Sequence, residues 1–133
     1  MITLDQARKI IAAGEARAKE IGVPVNIAVL DAGAHLKAFS RMDGAVLGSI
    51  DVSIGKARTA ALFQTGSDAV WDYCKPGAPA PGLDRSNGGL MTFAGGIPLM
   101  GGNGEMIGAV GVSGGAVSQD LEIASASAAA LTE

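Results

Sequence analysis

The sequence predicts an α+β domain: an antiparallel sheet with helices packed to one side of it, in the order α-β-β-α-α-β-β-β-α, formed by residues 1–133 as one unit. Three observations point there. Apolar residues recur at helical spacing in three long stretches, short β-branched runs lie between them, and the turns joining those runs are too short for a parallel crossover. A chain of 133 residues, 48% of them hydrophobic, can also bury one core without needing a second.

Thr3-Leu4-Asp5-Gln6 has the pattern of a capping box, and Ala7, Ile10, Ile11, Gly14, Ala18 and Ile21 then follow a helical stripe. Gly22-Val23-Pro24 stops that helix. Val25–Leu30 and His35–Ser40 flank Asp31-Ala32-Gly33-Ala34, which makes a β-hairpin. A second helix is expected over Ala45–Phe63, with Val46, Ile50, Ile54, Ala57 and Ala61 as its buried stripe and Ser49, Ser53 and Lys56 on the opposite face. Ser67-Asp68 can cap a short third helix running past Trp71 and Tyr73 and ending before Pro76.

Residues 75–87 hold three prolines and no periodicity, and read as a loop lying over a site or an interface. Leu90–Phe93 and Ile97–Met100 are short strand candidates. Gly101-Gly102-Asn103-Gly104 then turns the chain into Glu105–Val112, the clearest strand of this half. An Ala-rich helix from Ser118 to Leu131 closes the chain, with Asp120 in the first turn, where a negative charge suits the helix dipole.

Composition narrows the function classes. No run near 20 apolar residues escapes interruption, so no membrane span is expected, and the N-terminus lacks the pattern of a secretory signal, which makes the cytoplasm the expected compartment. Ten basic side chains are scattered among thirteen acidic ones, which argues against a nucleic-acid partner. One Cys (Cys74) and one His (His35) leave no set for a structural metal, so any metal would arrive inside a cofactor. Twenty glycines against 4% aromatic residues imply either a thin core of small side chains or close backbone contact at an oligomer interface.

Gly111-Val112-Ser113-Gly114-Gly115 fits the G-x-S-x-G pattern where a strand meets a helix, but no histidine follows it, as a hydrolase triad of that kind requires. The same corner can instead offer the N–H groups of Gly114 and Gly115 to an anion, or simply let the chain reverse. Gly102–Gly108 misses the dinucleotide-binding spacing by one residue and carries no phosphate-binding lysine motif. His35 stands near Asp31 across the turn, where a carboxylate could orient the ring for a proton or a metal, although a solvated residue at a strand start would look the same. Lys56, with Ser49, Ser53 and Thr59 near it on the helix, either faces a ligand anion or lies on a solvated face. Tyr73, Cys74 and the methionines are the other conceivable iron ligands, with Met91, Met100 and Met106 expected to be buried in strands.

Taken together, Gly22-Val23-Pro24, Val29–Leu36, Arg41–Ala45, Ser49-Ile50-Asp51, Lys56–Ala60, Gly88-Gly89, Gly95–Pro98, Gly108–Gly115 and Gln119-Asp120 resemble the GlcG/HbpS-type family, which includes the C-terminal domain of PduO-type proteins. The resemblance spans nearly the whole chain. It implies a profilin-like fold and assembly into homo-oligomers from dimer to octamer, but not one activity: some relatives bind haem, some are linked to corrinoid or glycolate metabolism, and a few resemble enzymes that break down small aromatic or nitrogenous compounds. Two positions depart from the family pattern: Ala34 replaces the second glycine of the Asp-Ala-Gly-Gly-His turn, and Leu121 replaces an acidic residue after Gln119-Asp120.

Three functional expectations follow. In the first, haem or another tetrapyrrole, with a corrinoid as the related case, sits at a surface or subunit-interface site with His35 as axial ligand. In the second, the chain is a small enzyme acting on a carboxylate-bearing metabolite. Its candidate catalytic residues are His35, Asp31, Lys56 and Asp120, and its candidate ligand-binding residues are Arg41, Ser113, Gly114, Gly115, Gly88 and Gly89. An accessory oligomer without small-molecule chemistry is the third.

Overall fold

In a computed structural model that describes residues 1–132, the chain forms α1 (Leu4–Ile21), β1 (Asn26–Asp31), β2 (Leu36–Arg41), α2 (Gly48–Phe63), α3 (Ser67–Cys74), β3 (Gly96–Met100), β4 (Met106–Ser113) and α4 (Val117–Ala129), with short 3-10 turns at Leu83–Arg85 and Ala130–Thr132. The four strands make one antiparallel sheet in the order β2-β1-β4-β3. The α+β class and the hairpin stand as expected. At the N-terminus Thr3 and Gln6 exchange the two capping-box bonds at 3.1 and 2.9 Å.

Helices cover both faces of the sheet, rather than one. Ile27 and Val29 of β1 join α1 and α4 in a core of larger aliphatic side chains, while Ala28 and Leu30 face Ala57, Ala60 and Ala61 of α2. The uninterrupted apolar run of β1 is the mark of a strand buried on two sides. Small residues let α2 lie unusually near the sheet: a Cβ on Gly111 would overlap the Ser53 carbonyl oxygen and stand 2.6 Å from the Ala57 nitrogen. The glycine-rich composition is thus explained, at this face, by helix-on-sheet contact within the chain.

Three expectations about elements need correction. Leu90–Phe93 is not a strand, because its backbone donors are committed elsewhere: the Leu90 N–H donates to the Asp84 carbonyl at 2.8 Å and the Met91 N–H to the Thr59 hydroxyl at 3.0 Å. The order is therefore α-β-β-α-α-β-β-α. Helix α2 starts at Gly48, not Ala45, and its stripe is shifted, with Val46 62% exposed while Ser53 and Lys56 are buried. Met91 lies outside any strand and Met100 is exposed, so neither is the buried strand residue expected.

Candidate functional site

Strand β4 ends at Ser113, where Gly114 takes φ 144° and swings the chain into α4. A Cβ on Gly114 would stand 2.9 Å from the Pro24 carbonyl oxygen, so the corner closes against the start of β1. Two of its donors have acceptors from the chain itself. The Gly115 N–H donates to Asp120 Oδ1 at 2.9 Å, and the Ala116 N–H to Gln119 Oε1 at 2.9 Å. The corner holds an anion, and that anion is Asp120.

The other oxygen of the same carboxylate receives Lys56. Lys56 Nζ lies 3.0 Å from Asp120 Oδ2 and also donates to the Val112 carbonyl at 2.9 Å, with side-chain exposures of 2% and 3% for the pair. Lys56 is therefore neither on a solvated face nor on the face opposite the core. Glycine makes room for it: a Cβ on Gly95 would approach Nζ to 3.0 Å and the Val112 carbonyl oxygen to 2.7 Å. Ser113 Oγ donates to Ser49 Oγ at 3.1 Å in the same corner. Two charges removed from water need this degree of mutual satisfaction to be tolerated.

His35 sits at the other end of the sheet, at the tip of the β1–β2 hairpin. Asp31 Oδ1 accepts the N–H groups of Gly33 and His35 at 2.9 and 3.0 Å and lies 3.4 Å from His35 Nδ1. Those bonds, the one from the His35 backbone N–H foremost, hold the Asp31 carboxyl below its ordinary pKa, against an opposing contribution from desolvation. The imidazole is 82% exposed, and Nε2 makes no hydrogen bond to the described residues. A carboxylate beside Nδ1 and an open Nε2 is the arrangement in which a histidine presents one nitrogen to a metal. Of the other conceivable iron ligands, Cys74 is buried and Tyr73 is exposed.

Strand register fixes how these groups relate. Asn26 opens β1 between Arg41 of β2 and Ser113 of β4, whereas Asp31 closes it opposite Gly108. Five steps along a strand separate the two ends by roughly 17 Å. Within one chain, then, Ser113, Gly114, Gly115, Lys56 and Asp120 form one group and His35 with Asp31 another. Arg41 belongs to the first end but lines a separate polar hollow of about 350 Å³ with Glu15, Lys19, Met42 and Asp43. Gly88 and Gly89 are exposed, at φ 75° and 106°, in the turn that follows the Pro-rich loop.

Sequence reasoning missed a cleft of about 660 Å³ lined by Trp71, Asp84, Leu90, Met91, Thr92 and Phe93. Two hydroxyls build it. Thr59 Oγ1 takes the Met91 N–H, and Ser67 Oγ accepts the Gly96 N–H at 2.9 Å while donating to the Phe93 carbonyl. Gly55 admits the Met91 side chain, since a Cβ there would lie 2.5 Å from Met91 Cγ. The segment from Leu90 to Gly95 is thereby strapped along the flank of α2, facing Trp71 of α3. The only signal in the sequence was the unexplained length of loop around it.

A family model described as haem degrading protein HbpS-like matches residues 2–129. The chain is 44% identical over 124 residues to an uncharacterized 15.0 kDa protein from the dhaT-dhaS intergenic region of Citrobacter freundii, covering 92% of this chain and 87% of that one. It is 34% identical over 131 residues to the corrinoid adenosyltransferase PduO of the same organism, covering 98% of this chain but only 39% of PduO. Among solved structures, that of a PduOC–haem complex superposes with a TM-score of 0.91 at 34% identity, covering 97% of this chain and 94% of that one.

Proposed function

The chain belongs to the HbpS-like family, and from that premise we propose that it binds haem or a related tetrapyrrole through His35, at a site completed by a second copy of the chain. The observation that carries this reading is the disposition of His35: an exposed imidazole whose Nδ1 faces the Asp31 carboxylate at 3.4 Å and whose Nε2 has no partner among the described residues. Similarity to a chain solved as a haem complex supports the class of ligand. Similarity to part of a corrinoid adenosyltransferase makes a corrinoid the related alternative.

Iron bound at Nε2 would bring redox and ligand-exchange chemistry that no side chain here supplies. What the chain contributes is orientation, because Asp31 favours the tautomer with the proton on Nδ1 and so frees the other nitrogen. His35 does not line the 660 Å³ cleft. An exposed hairpin tip buries little of a flat ligand by itself, so a partner copy covers the rest, in an assembly between dimer and octamer. The carboxylate-handling enzyme receives less support, since Lys56, Asp120 and Gly115 already satisfy one another.

Hemin titration tests the proposal. A Soret band that saturates at a fixed ratio of hemin to chain and is lost in His35→Ala is expected. A response matching that of an unrelated protein, or one unchanged in His35→Ala, would overturn it.

A further inference from the structure

The cleft beside α3 is distant in kind from the hairpin: it is concave, largely apolar and furnished with one unneutralised charge. Its volume, about 660 Å³, falls within the range of small-ligand pockets. Two of the chain's few aromatic side chains wall it, Trp71 at 41% and Phe93 at 54% exposure, above a floor that includes buried Leu90. Large apolar surfaces left facing solvent across a cleft mark a place where something binds.

Charge selects the ligand. Asp84 lines this cleft and the adjoining hollow of about 290 Å³, and it makes no ion pair among the described residues. Arg58 donates to the Asn87 carbonyl at 2.6 Å and Lys75 lies 3.6 Å from Asp72, and neither lines the cleft. Arg85 lines only the smaller hollow. An indole face beside a carboxylate is a favourable environment for an organic cation.

We propose that the cleft between α3 and the Leu90–Phe93 strap is a binding site for a small aromatic ammonium compound, its ring between Trp71 and Phe93 and its nitrogen at Asp84. This site is independent of His35 and of any tetrapyrrole. Ser67 and Thr59 are its positioning residues, since they hold the strap that carries Phe93 and Met91.

Trp71 is the only tryptophan in the chain and lines both this cleft and the adjoining hollow, so its fluorescence reports on that region of the surface. The test titrates the full chain with phenethylammonium, with phenethyl alcohol and with 3-phenylpropionate, which share a ring and differ in charge. Saturable quenching by the cation is expected, with the neutral alcohol weaker by roughly two- to fivefold, as a partly exposed ion pair supports, and the anion weakest. Asp84→Asn, which keeps the backbone carbonyl that Leu90 uses, should bring cation and alcohol to equal affinity with the fold intact by circular dichroism. Equal responses to all three probes, no saturable response, or an unchanged preference in Asp84→Asn would overturn the proposal. So would a fluorescence change on dilution alone, which would make the cleft a contact between copies of the chain.

Discussion

Lys56 Nζ and Asp120 Oδ2 lie 3.0 Å apart across 64 residues of sequence, and together they tie α2 to the first turn of α4 behind the end of β4. The Gly115 N–H and the Val112 carbonyl complete the network. Removing one member strands the other charge without water, at a cost of about 3–5 kcal/mol. Lys56→Met and Asp120→Asn should each lower the melting temperature sharply. The double variant should cost less than the two single changes summed, because no unpaired charge is left. Chemical denaturation of the four proteins checks this, and additivity within about 0.5 kcal/mol would show that the pair is not coupled.

Ala34 holds φ 65°, a left-handed conformation that costs an L-residue about 1–2 kcal/mol relative to glycine. Glycine would return part of that gain as unfolded-state entropy. Ala34→Gly should therefore raise stability by up to about 1 kcal/mol, measured as a shift in thermal midpoint. A fall would mean that the turn is not strained there.

Ser67→Ala removes the acceptor of the Gly96 N–H and the donor to the Phe93 carbonyl in a buried position. About 1–3 kcal/mol is expected for groups left unsatisfied in this way. The loss should be local. Hydrogen exchange should accelerate over residues 90–96 with β1 protected as before, and Trp71 emission should shift. Uniform acceleration throughout the chain would place Ser67 in the global core instead.

Asp31 gives the pH dependence. Its folded pKa is lowered, chiefly by the His35 backbone N–H. The sign follows directly: its contribution is complete above the ordinary aspartate range near pH ~4 and is lost as pH falls through the lowered folded value. A carboxyl titration by NMR should place the Asp31 midpoint below the ordinary aspartate value, with the Gly33 and His35 amide signals moving in step. Asp31→Asn should abolish that acid-limb change.

How far the sequence revealed this arrangement depended on distance along the chain. The Thr3–Gln6 capping box and the hairpin around Asp31 rest on neighbours within a few residues, and both were legible. Lys56 was misplaced because its partner is 64 residues away and its path is cleared by Gly95, on a third segment. Leu90–Phe93 has the composition of a strand, yet Thr59 and Asp84 take up its backbone donors. The separation of His35 from the Gly114-Gly115 corner follows from the pairing of β1 with β4, which no local pattern encodes.

If the chain holds a tetrapyrrole iron through His35, the imidazole nitrogen must be bonded to that iron. Because the chain has a single histidine, electron paramagnetic resonance of the hemin-loaded protein, prepared with ordinary and with ¹⁵N-labelled histidine, reads that bond without ambiguity. A nitrogen hyperfine coupling that changes on labelling is expected, and it should vanish in His35→Ala. Stoichiometric hemin binding with a spectrum indifferent to the label would show that His35 does not hold the iron.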